Sequence, residues 1–399
     1  METGRSDVDA KTPLVKATIE GDVKEIRRLL KEGAEADIGP PGFVYAIVAD
    51  QPKAFEVYVE NGIDVSKQFD WDNGDGSTIP DVNAFILAAG SGSMWAVKRL
   101  LNLGADPNLE TGGQTPLRMA ITNGQDEVVD LLFDKIPDVS HPSAGRVLVA
   151  AARAENTELV ERCLEAGIPA NATDASGWTA LKCAVNDLDS EMAELLLQHG
   201  ADCNIADDED WTPLLNAIEN RDLDLVNLLL SKGADPNAAP DIEDDDGTSG
   251  FSALIRAAHY GEPEILEALI GAGADVAQTD SDGAAAVHYA AAHRHPNCLK
   301  ILLDHGADPN KVGFDGHSPV GMLLVGLGAA VQGGAEIDQA AAIKTLKLLI
   351  KNGADWHEGA GKVVASVGDM QVTVLDGAKL AMKQEGLKKL SKEFDRLSS

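Results

Sequence analysis

The sequence has few aromatic residues, few cysteines and no long apolar run. Aromatic residues make up 4% of the 399 positions, although hydrophobic residues make up 44%. The core must therefore be built from Leu, Ala, Val and Ile, which suits thin stacked helices better than a deep aromatic pocket. A chain of this length is also long for one globular core, since roughly 100–200 residues per domain is usual.

Basic residues are also scarce relative to acidic ones. The chain has 33 Lys and Arg against 65 Asp and Glu, a net charge of −32 with a pI near 4.5. Such a surface repels nucleic-acid phosphate and anionic membranes, and it attracts basic partners over a distance. We therefore expect no nucleic-acid ligand and no membrane surface as partner.

Neither targeting nor membrane segments are visible in the sequence. Residues 1–11 are polar with alternating charge, and no stretch of about 18 apolar residues occurs. The four cysteines, Cys163, Cys183, Cys203 and Cys298, are predicted to be free thiols. These features predict an intracellular protein of the cytoplasm or nucleus, and we expect a monomer.

The tripeptide Gly-Ala-Asp returns along the chain at a fixed interval. It stands at 104–106, 200–202, 233–235, 273–275, 306–308 and 353–355. Gly167, Gly200 and Gly233 follow one another at 33 residues, as do Gly273 and Gly306. A period of roughly 20–50 residues is typical of stacked repeat proteins, in which each repeat buries its apolar face against its neighbours.

One repeat can be followed through residues 174–204. A turn at 174–177 precedes Thr179, whose hydroxyl can cap a first helix. A second, leucine-rich helix then runs to Gly200, a residue type that often ends helices in the left-handed conformation. Each repeat is therefore predicted to be a turn followed by two helices.

The repeat openings and closings resemble those of the ankyrin repeat. The openings are Thr12-Pro13-Leu14, Thr115-Pro116-Leu117 and Thr212-Pro213-Leu214, and the closings are the Leu-rich runs before Gly-Ala-Asp. The histidine that follows the opening in this family stands only at His288. The resemblance implies an all-α ankyrin-repeat solenoid of about ten helix-turn-helix repeats with a C-terminal capping helix.

The predicted domain organisation follows from this register. It comprises a polar tail at 1–10, the repeat array at 11–358, a linker loop at 359–372 and a C-terminal capping half-repeat at 373–399. Three intervals exceed the period, which places insertions near 65–80, 238–250 and 325–340. They are expected to protrude as loops or as lengthened helices.

No catalytic or cofactor motif survives a check of its spacing. Residues 359–362 end like a phosphate-binding loop, but Val363 stands where Ser or Thr is required. Residues 326–328 begin like a dinucleotide fingerprint, but Val331 replaces its third glycine. His288, His293, His295 and Cys298 could suggest a metal cluster, but the repeat register gives His288 a structural role. We therefore predict no enzyme, no cofactor and no metal.

The ankyrin resemblance implies a binding groove made of turn tips and the inner faces of first helices. In this register the large aromatic tip residues are Trp178, Trp211 and Phe251. The first helices end at Asn186 and Asp187, Glu219 and Asn220, His259 and Tyr260, and His293. Trp and Tyr are frequent binding hot spots, which makes these positions candidate partner contacts. The alternative is that the tip aromatics pack on neighbouring turns.

Charge favours a basic partner for this groove. Residues 207–246 contain 13 acidic residues and only two basic ones, Arg221 and Lys232. Aromatics within an acidic field suit a Lys- or Arg-rich segment. The resulting hypothesis is a non-enzymatic scaffold or stoichiometric inhibitor that binds a basic segment of another protein. The alternative is a regulatory module whose acidic insertions bind a ligand or divalent metal.

Overall fold

The computed structural model describes most of the repeat array. The described residues are 12–34, 41–72, 78–135, 142–240, 249–313, 316–332, 338–355, 363–367 and 370–373, together with Lys392 and Arg396. Within them the chain forms twenty helices and two short hairpins. It divides into two compact units, Met1–Cys183 and Ala184–Ser399.

Unit 1 is a stack of consecutive helix pairs. Its helices are α1 (Pro13–Glu20), α2 (Val23–Lys31), α3 (Gly42–Val48), α4 (Pro52–Glu60), α5 (Ala84–Gly90), α6 (Met94–Asn102), α7 (Pro116–Thr122), α8 (Asp126–Phe133), α9 (Pro142–Arg153) and α10 (Thr157–Glu165). First helices pack on first helices, as in α5 against α7, and second helices on second helices, as in α6 against α8.

Unit 2 continues the same arrangement, and the division between the units falls within α11 (Ala180–Asn186). Its further helices are α12 (Ser190–Gln198), α13 (Pro213–Glu219), α14 (Leu223–Ser231), α15 (Ala253–Tyr260), α16 (Pro263–Gly271), α17 (Ala286–Ala292), α18 (Pro296–Asp304), α19 (Pro319–Gln332) and α20 (Gln339–Lys351). First helices α13, α15, α17 and α19 stack in order.

The predicted capping residues start and end these helices. The Thr115 hydroxyl accepts a hydrogen bond from the Arg118 amide at 3.1 Å, and Thr179 does the same for Lys182 at 3.1 Å. Gly233 follows α14 with a φ of +94° and open space around its missing Cβ. This glycine is therefore required by its backbone conformation and not by crowding.

Turn asparagines join neighbouring repeats in unit 2. The Asn204 side-chain amide donates to the Gly233 carbonyl at 3.0 Å, and its oxygen accepts from the Asp235 amide at 2.7 Å. Asn310 makes the equivalent pair of bonds with Gly353 and Asp355. The closing segment of one repeat thus fixes the turn of the next.

The first predicted insertion is a β-hairpin. Strands β1 (Gln68–Asp72) and β2 (Thr78–Asn83) pair antiparallel, with an irregularity between Phe69 and Trp71. The Trp71 ring lies 5.7 Å from the Tyr45 ring of α3. The insertion is therefore anchored to unit 1 through an aromatic contact.

The other two insertions differ from the first. The third is absorbed by lengthened helices, since α19 has 14 residues and α20 has 13, against 7–9 in most other helices. For the second, residues 241–248 lie outside the described part of the chain.

The predicted linker loop at 359–372 requires a correction. It contains two strands, β3 (Val363–Val367) and β4 (Met370–Thr373), which pair antiparallel. The run of β-branched residues favours extended backbone, and the intervening Gly-Asp dipeptide in the sequence is a hairpin signal. The polar tail at 1–10 and nearly all of the capping half-repeat at 373–399 lie outside the described residues.

The four cysteines are free and buried, as predicted. Burial raises the pKa of the Cys163 thiol to about 12, and that of Cys298 to about 12 as well. Thiols with such pKa values remain protonated at neutral pH and are poor nucleophiles. Both cysteines therefore act as small apolar core residues.

Candidate partner-binding surface

Six of the predicted site residues come together in unit 2. Trp211 and Phe251 precede α13 and α15, Glu219 ends α13, His259 and Tyr260 end α15, and His293 follows α17. Tyr289 of α17 joins them. We call Phe251, His259, Tyr260, Tyr289 and His293 the aromatic cluster.

The rings of the aromatic cluster contact one another mainly edge to face. The centroids of Phe251 and Tyr289 are 4.8 Å apart, and those of His259 and Tyr260 are 5.2 Å apart. His259 and His293 are closer still, at 4.3 Å. Such edge-to-face contacts hold rings in fixed positions. All but the exposed His293 are half-buried, so the cluster keeps a surface open to solvent.

Arg256 connects the aromatic cluster to the tip residue Trp211. Its guanidinium carbon lies 4.5 Å from the Trp211 ring centroid and 5.7 Å from that of Phe251. Arg256 also pairs with Glu219 at 3.6 Å, and its Nε donates to the Phe251 carbonyl at 3.2 Å. Both tip aromatics are therefore contacted by a cation of their own chain.

Glu219 is bound from two sides within unit 2. It accepts a 2.6 Å hydrogen bond from the Tyr260 hydroxyl besides its ion pair with Arg256. Burial and this carboxylate raise the pKa of Tyr260 to about 12, so the hydroxyl remains a donor at neutral pH. The Glu219 side chain nevertheless keeps 44% of its surface exposed. It can accept a further hydrogen bond from an incoming cation.

The acidic turn before Trp211 contains two kinds of carboxylate. The buried Asp207 accepts hydrogen bonds from the amides of Glu209 at 3.0 Å and Trp211 at 2.9 Å, which fixes the turn. Asp208, Glu209 and Asp210 are exposed. Together with the partly exposed Glu219 they provide negative surface beside Trp211, so the acidic residues of 207–210 are not equivalent.

The histidines of this surface are held in the neutral form. Burial, with the nearby His295 and Arg256, lowers the pKa of His259, and burial also lowers that of His295. Although the His293 residue as a whole is exposed, partial burial of its imidazole and the neighbouring His259 and His295 lower its pKa to about 4. His259 is half-buried, whereas the exposed His293 is better screened by solvent.

We expect acid to destabilise unit 2 through His259. In the unfolded chain this histidine titrates near 6.5, whereas its folded pKa is lower. As the pH falls below ~6.5, His259 becomes protonated in the unfolded chain while it is still neutral in the folded one. The free energy of unfolding therefore decreases until His259 is protonated in the folded state as well. Urea unfolding at several pH values should show that acidification lowers the free energy of unfolding less in His259→Gln than in the wild type. The exposed His199→Gln variant is the control, and equal pH dependence in all three proteins would contradict the expectation.

The remaining predicted site residues do not join the aromatic cluster. In unit 1, the Trp178 ring is contacted by Arg153 at 4.6 Å and by Lys182 at 4.7 Å. Trp178 therefore has the same kind of internal cation contact as Trp211, and its contact with a partner stays a prediction. The exposed Asn186 and Asp187 hydrogen-bond each other at 3.0 Å. Asn220 is exposed at the end of α13.

Sequence reasoning did not name Arg256 or Tyr289 as candidate surface residues, and it considered His295 only as a possible metal ligand. Arg256 and Tyr289 stand 33 residues apart, one position after Ile255 and His288 in the repeat register. Residues of one repeat position fall on corresponding places of stacked first helices. Comparing this position across the repeats could have identified both Arg256 and Tyr289.

His288 has the structural role that was predicted for it. Its Nδ1 accepts from the Ala285 amide at 3.0 Å, so Nε2 carries the proton and donates to the Lys311 carbonyl at 2.8 Å. In the described part of the chain, no three His, Cys, Asp or Glu side chains are grouped as metal ligands would be. The acidic residues of the second insertion fall outside that part, so the metal-binding alternative stays a prediction.

Consecutive helix pairs, linked turns and a 33-residue register define a helical repeat protein. A family model described as ankyrin repeats matches in three copies, over residues 43–142, 148–240 and 238–312. The chain belongs to the ankyrin-repeat family, as the sequence predicted. Its fold class is all-α, and ankyrin repeats are protein–protein interaction modules that are typically non-enzymatic. No curated protein matches the chain.

Among the helices in the described ranges, none is both long and apolar enough to cross a bilayer.

Proposed function

We propose that the chain is a non-enzymatic scaffold or stoichiometric inhibitor, and that unit 2 binds a basic segment of another protein. The observation that carries this proposal is the half-exposed aromatic cluster beside exposed carboxylates. A purely structural cluster has no need to keep its rings at the surface, where they are costly to hydrate. Aromatic residues in fixed positions are also frequent binding hot spots.

The contacts of Arg256 define how a basic segment is held. Because Arg256 already lies on Trp211 and Phe251, a partner cation meets the carboxylates before it meets those ring faces. We propose that Glu219 and the exposed Asp208, Glu209 and Asp210 bind the cationic ends of Lys or Arg. The aliphatic stems of these side chains then pack on Tyr260 and Phe251, as long basic side chains do.

The mechanism is occupancy. A rigid surface that is ordered before binding loses little conformational entropy when a partner docks. The net charge of −32 adds electrostatic steering of basic partners. We propose that a monomer binds one partner in this way, and that inhibition results from covering the partner's basic segment.

The proposal is tested by affinity purification with the full chain. The Phe251→Ala/Tyr260→Ala variant should lose its partners, with about tenfold to 100-fold weaker binding, as expected for paired aromatic hot spots. The control is Val312→Ala, because Val312 is a strongly exposed apolar residue of unit 2 outside the cluster. Hydrogen exchange of α15 and α17 establishes that the variants are folded.

Partners lost only from the cluster variant should contain a Lys- or Arg-rich segment. A synthetic peptide of that segment should bind the wild type with an association rate that falls as salt is added. Retention of every partner by the cluster variant would contradict the proposed site. A salt-independent association rate would contradict the role of the carboxylates.

A further inference from the structure

A cleft of about 240 Å³ in unit 1 is lined by three arginines. Arg118 lies on α7, whereas Arg146 and Arg153 lie two turns apart on α9. The other lining residues are Gln114, Thr122, Val149, Ala150, Ala154 and Asp174. We call this site the arginine cleft. Only twelve arginines occur in the whole acidic chain, so the convergence of three is a local reversal of its charge.

The arginines of the cleft are not equally neutralised. Arg146 pairs with Glu110, and Arg153 pairs with Asp174 at 2.8 Å. Arg118 donates to the Gly113 carbonyl at 2.7 Å, and it makes no ion pair with any residue that the structure describes. A backbone carbonyl satisfies one N–H group and leaves the guanidinium charge uncompensated. Among the described residues, the three arginines of the cleft therefore have two carboxylate partners, Glu110 and Asp174, and one positive charge is left over.

The geometry favours a carboxylate as the missing counter-charge. Guanidinium groups bind carboxylates through paired charge-assisted hydrogen bonds. One excess positive charge matches a singly charged carboxylate, whereas a phosphomonoester carries about −1.5 to −2. The volume is below the roughly 300–1,000 Å³ of most small-molecule sites. A single side chain of a peptide fits this size better than a free ligand.

We propose that the arginine cleft binds a Glu or Asp side chain from an acidic segment of a partner protein. Arg118 supplies the paired hydrogen bonds, and Arg146 and Arg153 hold the positive potential around it. The methyl group of Ala154, which lines the cleft and is exposed, packs on the stem of the bound residue. This site is independent of the surface proposed in unit 2 and has the opposite charge preference.

A selection of randomised nine-residue peptides against the full chain tests the proposal. We expect a class of enriched peptides with Glu or Asp at one fixed position. In Arg118→Gln the affinity of these peptides should fall at least about tenfold, because a charge-assisted pair is lost. Arg118→Lys should restore it only in part, since lysine keeps the charge but not the paired geometry.

The matched control is Arg27→Gln, which removes the same charge from an exposed ion pair with Glu60 elsewhere in unit 1. It should leave the affinity unchanged. Replacement of the fixed Glu by Gln should abolish binding, and replacement by phosphoserine should weaken it. Tighter binding of the phosphoserine peptide, equal binding by Arg118→Gln, or no enrichment of acidic peptides would each overturn the proposal. Basic peptides that bind Arg118→Gln normally belong to the unit 2 surface, so the two proposals are tested separately.

Discussion

Replacement of Tyr58 by Ala is expected to lower the free energy of unfolding of unit 1 by about 3–5 kcal/mol. The Tyr58 side chain on α4 is fully buried, and it is among the largest side chains with no exposed surface. The α3 backbone runs directly against it, since a Cβ on Gly42 would lie 2.6 Å from the Tyr58 hydroxyl oxygen. Truncation therefore leaves a cavity between helices that cannot close without moving α3.

The hydroxyl of Tyr58 contributes a smaller and separable part. The Thr18 hydroxyl lies 2.7 Å from the Leu14 carbonyl, which can only accept, so Thr18 donates there. Tyr58 must then donate in its 2.5 Å bond to Thr18. Tyr58→Phe keeps the ring and removes this donor, and it should cost about 1 kcal/mol.

Hydrogen exchange by mass spectrometry is the suitable measurement, because repeat arrays can unfold in parts. Amides of α1, α3 and α4 should exchange much faster in Tyr58→Ala and slightly faster in Tyr58→Phe. Equal protection of these helices in Tyr58→Ala and the wild type would mean that the cavity closes without cost. That outcome would exclude Tyr58 as the residue that joins three helices of unit 1.

The repeat fold could be predicted because its determinants are local in sequence. Thr115 caps the helix that begins one residue later, and Gly233 follows the C-cap residue Lys232 of α14. Each helix start or end depends on a few neighbouring residues, and the same residue types return along the chain with the 33-residue period. Sequence therefore predicted the helix pairs, the free cysteines and the structural His288.

The hairpins were missed although their signals were present. Residues 68–72 alternate polar and apolar side chains, with Phe69 and Trp71 on one face, which is the strand period. The acidic residues around them favoured a solvated loop instead. The sequence alone could not predict the contact between Trp71 and Tyr45, because it depends on how α3 packs.

The sequence named candidate site residues but did not predict the contacts among them. The tip and helix-end register named Trp211, Phe251 and Tyr260 as candidate partner contacts, and these residues lie near one another in unit 2, but their contact with a partner stays a prediction. It did not predict that Arg256 would lie on the aromatic rings, because that contact joins residues of different repeats. The tip aromatic Trp211 therefore has an observed internal cation–π contact and a proposed partner contact, which experiment must separate.

Substitution of Gly326 by Ala is expected to destabilise unit 2 by about 1–3 kcal/mol, although alanine is the better helix former. Gly326 lies in the middle of α19, where a Cβ would be 2.4 Å from the backbone carbonyl oxygen of Ala292 at the end of α17. That oxygen cannot turn away as a flexible side chain could. The two helices must separate, which also strains the 3.2 Å bond from Arg294 to the Gly326 carbonyl.

Gly271→Ala is the matched control with the opposite expected sign. Gly271 is the last residue of α16, it does not have a positive φ, and a Cβ there would meet nothing within 4 Å. The substitution should therefore stabilise unit 2 by about 0.5–1 kcal/mol through the helix propensity of alanine. Urea unfolding of both variants compares the same chemical change in two surroundings. Stabilisation by Gly326→Ala as well would show that α17 and α19 can separate freely, and that the small residues of α19 are not required for close helix packing.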